Sequence, residues 1–170
     1  MTDWAERQNY GYYALVRSWL TMLSGMMHYD RATLLDVGCR DTPVAQWGQF
    51  IRRYSVDFLD RPPLKDVMAF KKDFLGWKPP EHFSVLTCCQ VLEHLGDAEL
   101  PLFVTKMKAI SDYMIITVPF MWAKGEEEGH KQDPISREKF HGMVGKIPME
   151  EIIVLDGKRA RLCALFRNLP

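Results

Sequence analysis

Apolar residues recur along the chain in two patterns, one with the spacing of a helix and one made of short continuous runs. In residues 4–27 apolar side chains return every three or four positions, which predicts an amphipathic helix with Thr2 or Asp3 as its N-cap. Further on, short apolar runs end at glycine, proline or charged residues, as buried strands do. These predicted strands are residues 31–38, 54–59, a short segment near Phe70, 82–89, 113–118, 152–155 and 161–166.

Helical segments separate several of these strands and define the fold class. The predicted helices are residues 43–52, 99–110 and 136–144. Strands that are apolar throughout and alternate with helices indicate a parallel sheet covered on both faces. The Asp156-Gly157 dipeptide between the last two runs predicts a hairpin, and Pro119 is expected to end the strand before it.

Together these patterns predict an α/β fold. We expect a single three-layer sandwich, built on a mostly parallel seven-stranded sheet with a C-terminal antiparallel hairpin. A chain of 170 residues is expected to form one domain. Within it, residues 1–30 would form an N-terminal helical cap and residues 31–170 the core.

Composition narrows the range of functions. The chain is 47% hydrophobic and 26% charged, an ordinary globular mixture, and its 22 basic and 22 acidic residues cancel. A neutral chain is not expected to hold nucleic acid by electrostatic attraction, and no apolar run approaches the roughly 20 residues of a membrane span. The four cysteines form no C-x-x-C pair and the N-terminus is charged, so we expect reduced thiols and a cytoplasmic protein.

The first predicted strand leads into the clearest chemical signal. It ends at Gly38, and a carboxylate, Asp57, follows nineteen residues further on at the end of the next strand. A strand that leads through glycine to a helix lets backbone amides approach a ligand, and a carboxylate at that spacing can accept both hydroxyls of a ribose. Arg40 and Thr42 carry side chains where a diphosphate-binding loop has glycines, which favours a nucleoside without phosphates. A tight turn that binds nothing is the alternative.

Five segments resemble the successive motifs of class I S-adenosylmethionine-dependent methyltransferases. They are LLDVGC, VDFLD, KKDFLGW, FSVLTCCQVLEHL and MIITVPF, in the family's order and spacing from about residue 32 onward. The VLEHL form is especially similar to the broad "type 11" branch, which methylates small molecules, lipids and glycans. The resemblance implies a Rossmann-like core, S-adenosylmethionine as cofactor, S-adenosylhomocysteine as product, and a small-molecule or glycan acceptor.

The resemblance also implies which residues bind the cofactor. All follow the ends of predicted strands: Asp36, Gly38, Cys39, Asp57, Phe58, Asp73, Phe74, Cys88 and Gln90. The loop after the first strand would meet the methionine moiety, which Cys88 and Gln90 would line from the other side. Asp57 would bind the ribose, with Asp60 as the alternative, while Asp73 and Phe74 would contact adenine. The family has glycine at positions 40 and 42, and Thr42 is expected to narrow the approach to the methionine moiety.

Two histidines are candidates for the acceptor side. A hydroxyl acceptor gains from a base whose pKa lies near neutrality, and His94 and His130 supply one. Residues 130–136 resemble the acceptor-side loop of sugar and glycan methyltransferases, in which His130 and Asp133 would form a base and its orienting partner. The alternatives are a packed residue at a helix start for His94 and the end of a turn for Asp133.

Three further expectations concern partners. Some relatives bind a divalent metal through Glu at position 90, the Glu93-His94 pair and another histidine, but Gln90 is a poorer ligand, so no metal is expected. The helix before the first strand usually closes over the site in this family, so Tyr10, Tyr12 or Tyr13 would contact the acceptor unless they belong to the core. Aromatic surface is compatible with a homodimer, and the competing function is a binding or scaffold protein with a degenerate methyltransferase fold.

Overall fold

A single mixed sheet organises the chain in the computed structural model, which describes residues 4–28 and 30–168. The strands are β1 (Thr33–Val37), β2 (Arg52–Asp57), β3 (Met68–Lys71), β4 (Phe83–Cys89), β5 (Ser111–Phe120), β6 (Glu150–Asp156) and β7 (Arg159–Arg167). The helices are α1 (Trp4–Arg7), α2 (Gly11–Met26), α3 (Leu100–Ile110) and α4 (Arg137–Val144). The predicted caps Thr2 and Asp3 lie outside the described residues.

The strand order is β3-β2-β1-β4-β5-β7-β6. The first five strands run parallel to one another, while β7 lies antiparallel between β5 and β6. The pair Asp156–Arg159 closes a two-residue turn, in which Gly157 has a φ of +64° that suits glycine. The predicted C-terminal hairpin and the mostly parallel seven-stranded sheet are therefore confirmed.

Two apolar layers cover the two faces of the sheet. Alternate strand residues point in opposite directions, so Leu35 and Leu34 belong to different cores. One core packs α3 and α4 against the sheet through residues such as Phe103 and Phe140, and the other packs α2 through Leu20. Burying each such side chain stabilises the fold by about 1.5–3 kcal/mol. No described helix is both long and apolar enough to cross a membrane.

The predicted N-terminal helix is interrupted. It forms α1 and α2, separated at Tyr10, whose backbone is extended. Tertiary contacts fix both sides of the break: the Trp4 amide donates to Asp41 at 2.6 Å, and the Gly11 amide donates to Asp156 at 2.5 Å. The single helix predicted from spacing is thus wrong, because Asp156 binds the Gly11 amide, which a continuous helix would have bonded to the Arg7 carbonyl.

The helix predicted over residues 43–52 is also wrong. Only a short 3-10 turn, Val44–Gln46, forms there before β2 begins. Gly48 has a left-handed backbone conformation, with φ +71°, so a helix cannot continue through it. The guanidinium of Arg53 then donates to the carbonyls of Gln46, Gly48 and Phe50 at 3.1, 2.8 and 3.3 Å. A side chain from β2 satisfies the acceptors that a helix would have satisfied.

Pro119 does not end its strand, contrary to expectation. β5 continues to Phe120, and Pro119 pairs with Arg161 of β7. The register between β4 and β5 has already ended, at Cys89 and Thr117. Because β5 has a strand on one side only beyond this point, a residue without an amide hydrogen is tolerated.

Replacing Arg53 with Met should destabilise the fold. Three charge-assisted hydrogen bonds to loop carbonyls would be lost, and we expect the free energy of unfolding to fall by about 2–3 kcal/mol in urea denaturation. Arg31→Met is the matched control, because the Arg31 side chain is 86% exposed. A decrease no larger than that of the control would contradict the role of Arg53.

Candidate cofactor and active site

The strand order reverses between β1 and β4, which both lie in the middle of the sheet. In parallel sheets, ligands bind in the crevice beyond the carboxyl ends of the strands at such a point. Just past the carboxyl ends of three central strands, non-glycine residues have a left-handed backbone conformation. They are Arg40 after β1, Gln90 after β4 and Met121 after β5, with φ of +44°, +58° and +57°. Each such residue costs about 1–2 kcal/mol, and strain of this kind clusters at functional sites.

Gly38 brings the loop after β1, residues 38–43, close to β4. Its φ is +70°, and a Cβ built on it would lie 2.3 Å from a methyl group of Val91. Both the backbone conformation and the contact therefore require glycine. The Gly38 amide donates to the carbonyl of Val56 at 2.9 Å, so the loop starts from a fixed point on β2.

Arg40 adopts a left-handed backbone conformation, which glycine usually adopts at such a position. Its left-handed backbone presents the amide to Oδ2 of Asp57 at 2.7 Å. Thr42, the other departure from the family pattern, is buried, and its hydroxyl donates back to the carbonyl of Cys39 at 2.8 Å. The Thr42 side chain is therefore held by a hydrogen bond within the loop, whereas at Arg40 it is the backbone amide that is held, by Asp57 of β2.

Asp57 lies at the last position of β2 and is only 6% exposed. Its Oδ1 accepts from the Leu59 amide at 2.9 Å, while its Oδ2 holds the Arg40 amide. Each carboxylate oxygen can accept a second hydrogen bond, so Asp57 is fixed and still able to bind two hydroxyls. Asp60 lies beyond the strand with its side chain 81% exposed and paired with Lys71. The position of β2 therefore favours Asp57 over Asp60 as the ribose ligand.

Asp36 lies buried on β1 beneath the loop. Thr87 of β4 donates to its Oδ1 at 2.7 Å, and Oδ2 has no partner among the described residues. Burial raises the pKa of Asp36 to about 7, against the lowering effect of the Thr87 hydrogen bond. A buried oxygen without a donor fits a ligand that brings an ammonium group or a bridging water.

The remaining predicted cofactor residues differ in how far they are exposed to solvent. Cys39 and Cys88 are buried, and Gln90 donates through Nε2 to the Thr117 hydroxyl at 3.1 Å. Phe58 is 71% exposed beyond β2.

Asp73 and Phe74 lie in the turn after β3. Asp73 is exposed and accepts from the Gly76 amide at 2.9 Å. Phe74 packs in the core, with its ring centroid 4.5 Å from that of Phe103. Phe74 is therefore a core residue that lies beside the position predicted for adenine.

The acceptor-side candidates His94, His130 and Asp133 come together, although 35 residues separate the first two. The imidazole centroids of His94 and His130 are 4.8 Å apart, edge to face. Nδ1 of His130 lies 2.6 Å from Oδ2 of Asp133, and Trp122 stacks on the His130 ring at 5.6 Å. The base and orienting partner expected from sequence are therefore in contact.

Glu93 belongs to this group, although sequence reasoning considered it only as a companion of His94. Its side chain is buried, and Oε2 has no partner among the described residues. Burial raises the pKa of Glu93 to about 8. The Glu93 carbonyl accepts from the Lys131 amide at 2.7 Å, which ties the end of β4 to the His130 loop. One ligand atom each from Glu93, His94 and His130 lies within 4.8 Å of the others. We call these three residues and Asp133 the histidine cluster.

Arg161 is the second residue that sequence reasoning missed. Although buried, it donates to Asp156 at 2.9 Å and lies over the rings of Tyr10 and Tyr12, 4.7 and 4.8 Å from their centroids. Tyr13 instead packs edge to face on Trp4. The available signal was a charged residue at the head of an apolar strand. Arg161 also lies 5.4 Å from the Trp122 ring, which places the start of α2 beside the histidine cluster.

Three solved methyltransferases share this architecture. The N-methyltransferase NodS from Bradyrhizobium japonicum WM9, in complex with S-adenosyl-L-homocysteine, matches with a TM-score of 0.73 and 15% identity, over 97% of this chain and 91% of NodS. The 1,6-didemethyltoxoflavin-N1-methyltransferase of Burkholderia thailandensis matches at 0.73 and 12%, over 94% and 79%. An S-adenosylmethionine-dependent methyltransferase from Clostridium acetobutylicum ATCC 824 matches at 0.66 and 10%, over 97% and 95%. The chain has the methyltransferase fold.

The similarity lies in structure rather than in sequence. No protein-family model matches the chain, and neither does any curated protein. The fold that the five sequence motifs implied is nevertheless confirmed, down to the antiparallel position of β7.

Arg40→Gly should stabilise the protein. Glycine adopts a left-handed backbone without the steric cost that arginine bears, so we expect the free energy of unfolding to rise by about 0.5–1 kcal/mol. Arg17→Gly, on the exposed face of α2, is the opposite control and should lower it by about 1 kcal/mol. Equal losses in the two variants would show that Arg40 is not under backbone strain.

Proposed function

We propose that this protein transfers a methyl group from S-adenosylmethionine to a small-molecule or glycan acceptor. The observation that carries the proposal is the preorganised end of β2, where Asp57 holds the left-handed loop through the Arg40 amide beside the strand-order reversal. NodS, crystallised with S-adenosyl-L-homocysteine, and the Burkholderia enzyme, crystallised with S-adenosylhomocysteine and 1,6-didemethyltoxoflavin, support it through their shared fold.

The cofactor would lie across the carboxyl ends of β1, β2 and β4. Asp57 would accept from the ribose hydroxyls, and the orphaned Oδ2 of Asp36 would meet the methionine ammonium group directly or through water. The backbone of Gly38 and Cys39 would approach the methionine moiety, opposite Cys88 and Gln90. When bound, the cofactor supplies an activated methyl group on a sulfonium, so the protein's task is to position the acceptor and exclude water.

The outer edge of this crevice would hold adenine. Phe58 and Asp73 follow β2 and β3 and are exposed, so they are available to flank a ring and to accept from its amino group. Phe74 would support this edge from the core, because it is buried, with Lys106 over its ring and Phe103 packed against it.

The histidine cluster would contact the nucleophilic atom of the acceptor. Because Asp133 and the Gly129 carbonyl accept hydrogen bonds, we assign the proton of both imidazoles to Nδ1, which leaves Nε2 of His94 and His130 with a lone pair. During attack of a hydroxyl on the methyl group, the new C–O bond would form, the S–C bond would break and the hydroxyl proton would pass to Nε2 of His130. Tyr10, which is partly exposed, would contact the acceptor, whereas Tyr12 and Tyr13 belong to the core.

Cysteine chemistry supports a cytoplasmic location. All four cysteines are free, and burial raises the pKa of each thiol, so none is poised for oxidation.

Asp57→Ala should abolish cofactor binding. Calorimetric titration of the parent with S-adenosylmethionine and S-adenosylhomocysteine should give micromolar dissociation constants. Removing two hydrogen bonds to a charged acceptor should weaken binding at least ~100-fold, at about 1.5–3 kcal/mol each. Asp60→Ala is the matched control and should bind as the parent does.

The same titrations distinguish the alternatives. If Asp60→Ala loses affinity while Asp57→Ala keeps it, the ribose ligand is misassigned. If the folded parent binds neither compound at millimolar concentration, the degenerate scaffold becomes the better interpretation. Circular dichroism of each variant separates lost binding from lost folding.

A further inference from the structure

Arg61 lies in the segment after β2 and reaches across to the loop after β1. Its Nη2 donates to the Thr42 carbonyl at 3.1 Å, and its Nε donates to the Pro62 carbonyl at 3.4 Å. Because β1 and β2 are neighbouring parallel strands, the segments that follow them border the same edge of the sheet. The Arg61 guanidinium therefore lies at the crevice beyond the carboxyl ends of these strands, where a cofactor is expected.

One nitrogen of this guanidinium is unsatisfied. Nη1 of Arg61 is buried and has no hydrogen-bond partner in residues 4–28 and 30–168. Burial raises the pKa of the Cys39 thiol to about 12, and the nearby Arg61 charge partly opposes that rise. A thiol is at most a weak acceptor, so this neighbour does not replace a carboxylate or a carbonyl. A buried donor without an acceptor is costly, which indicates that a ligand completes the site.

Asp36 has the opposite requirement in the same crevice. Its buried Oδ2 lacks a donor among the described residues. Burial raises the pKa of Asp36 to about 7, while the Thr87 hydrogen bond and the Arg61 charge oppose the rise. The guanidinium is thus close enough to act on the Asp36 carboxylate. Nη1 and Oδ2 are nevertheless both left without partners, so these two atoms do not satisfy each other.

This combination suits an α-amino acid. Such a group carries its ammonium and its carboxylate on one carbon atom, so a site that binds both needs an anion and a cation close together. The planar guanidinium of Arg61 matches a carboxylate, and the Asp36 carboxylate suits an ammonium group. Adenine and ribose carry no negative charge. The methionine carboxylate is therefore the part of S-adenosylmethionine that a cation selects.

We propose that Arg61 binds the carboxylate of the cofactor's methionine moiety through Nη1, beside the ammonium group that Asp36 accepts. This inference rests on the proposed function and adds a residue to its cofactor site. The cofactor residues expected from sequence include no cation, so none of their side chains accounts for this carboxylate. Arg61 makes the site selective for ligands that retain the amino-acid carboxylate.

The surrounding chain prepares Arg61 for this role. Pro62 follows it and restricts the Arg61 backbone to extended conformations, which limits the directions in which the side chain can leave the chain. Two further arginines near the loop, Arg7 and Arg40, lie instead against the Asp41 carboxylate. Their charges are thus directed to a protein group, whereas Nη1 of Arg61 is not.

The test compares two ligands that differ in the carboxylate. The full chain is titrated calorimetrically with S-adenosylmethionine and with its decarboxylated form, and the parent should bind the first more tightly. Arg61→Met should weaken binding of S-adenosylmethionine ~10–100-fold, because a charge-assisted hydrogen bond is lost, without weakening that of the decarboxylated form. Arg61→Gln is a second neutral variant and keeps a donor for the Thr42 carbonyl. It should give the same selective loss.

Lys71→Met is the matched control. It removes a positive charge at the end of β3, from a side chain that is 59% exposed and paired with Asp60. Screening by solvent makes such a charge a weak contributor, so the affinity for either compound should change by less than ~3-fold. Circular dichroism checks that each variant is folded, and binding of the decarboxylated compound checks that the rest of the site is intact.

Two results would overturn the role of Arg61: equal losses for both compounds in the Arg61 variants, or S-adenosylmethionine binding that these variants leave unchanged. In either case a parent that binds S-adenosylmethionine still supports the proposed function. A folded parent that binds neither compound at millimolar concentration instead refutes the proposed function, and this inference with it.

Discussion

The hydrogen bond between the Arg40 amide and the Asp57 carboxylate connects the ends of two neighbouring strands, and the candidate cofactor site depends on it. The amide reaches Asp57 only because Arg40 is left-handed, and that course follows from Gly38, which has no room for a Cβ beside Val91. Because hydrogen bonds already orient the Asp57 carboxylate, binding of a ribose would require little further loss of side-chain entropy. The strain of Arg40 is therefore part of the site's preorganisation, offset by the sheet that fixes both strand ends.

Cationic side chains replace helices in two connections of this small fold. Arg53 holds the carbonyls of residues 46–50, and Lys106 of α3 donates to the carbonyls of Phe74, Leu75 and Trp77. Loops without helices need such donors, because buried carbonyls must be satisfied. The β1 and β3 connections can thus remain short. The crevice is thus bordered by loops whose carbonyls are held by side chains. Under the proposed function, α2 and the segment after β5 would select the acceptor.

The sheet and its hairpin were predictable because they depend on local patterns, apolar runs and an Asp-Gly turn. The two helix predictions failed because side chains satisfy backbone groups that a helix would have bonded internally. Asp156 binds the Gly11 amide where the N-terminal helix is interrupted, and Arg53 binds loop carbonyls where a helix was predicted before β2. In the candidate site, the resemblance to acceptor-side loops implied the contact of His130 with Asp133. The convergence of Glu93 and Arg161 on it was not predictable, because each is a charged residue within an apolar stretch whose direction only the folded sheet determines.

The histidine cluster contains more polar groups than a single general base requires. A general base needs one imidazole, oriented by one acceptor and open to the substrate, and His130 with Asp133 meets that need. It does not account for a second imidazole oriented in the same way, or for a buried carboxylate without a donor. The charge of buried Arg161 offsets part of the cost of burying this carboxylate, because it lowers the pKa of Glu93 against the larger effect of burial.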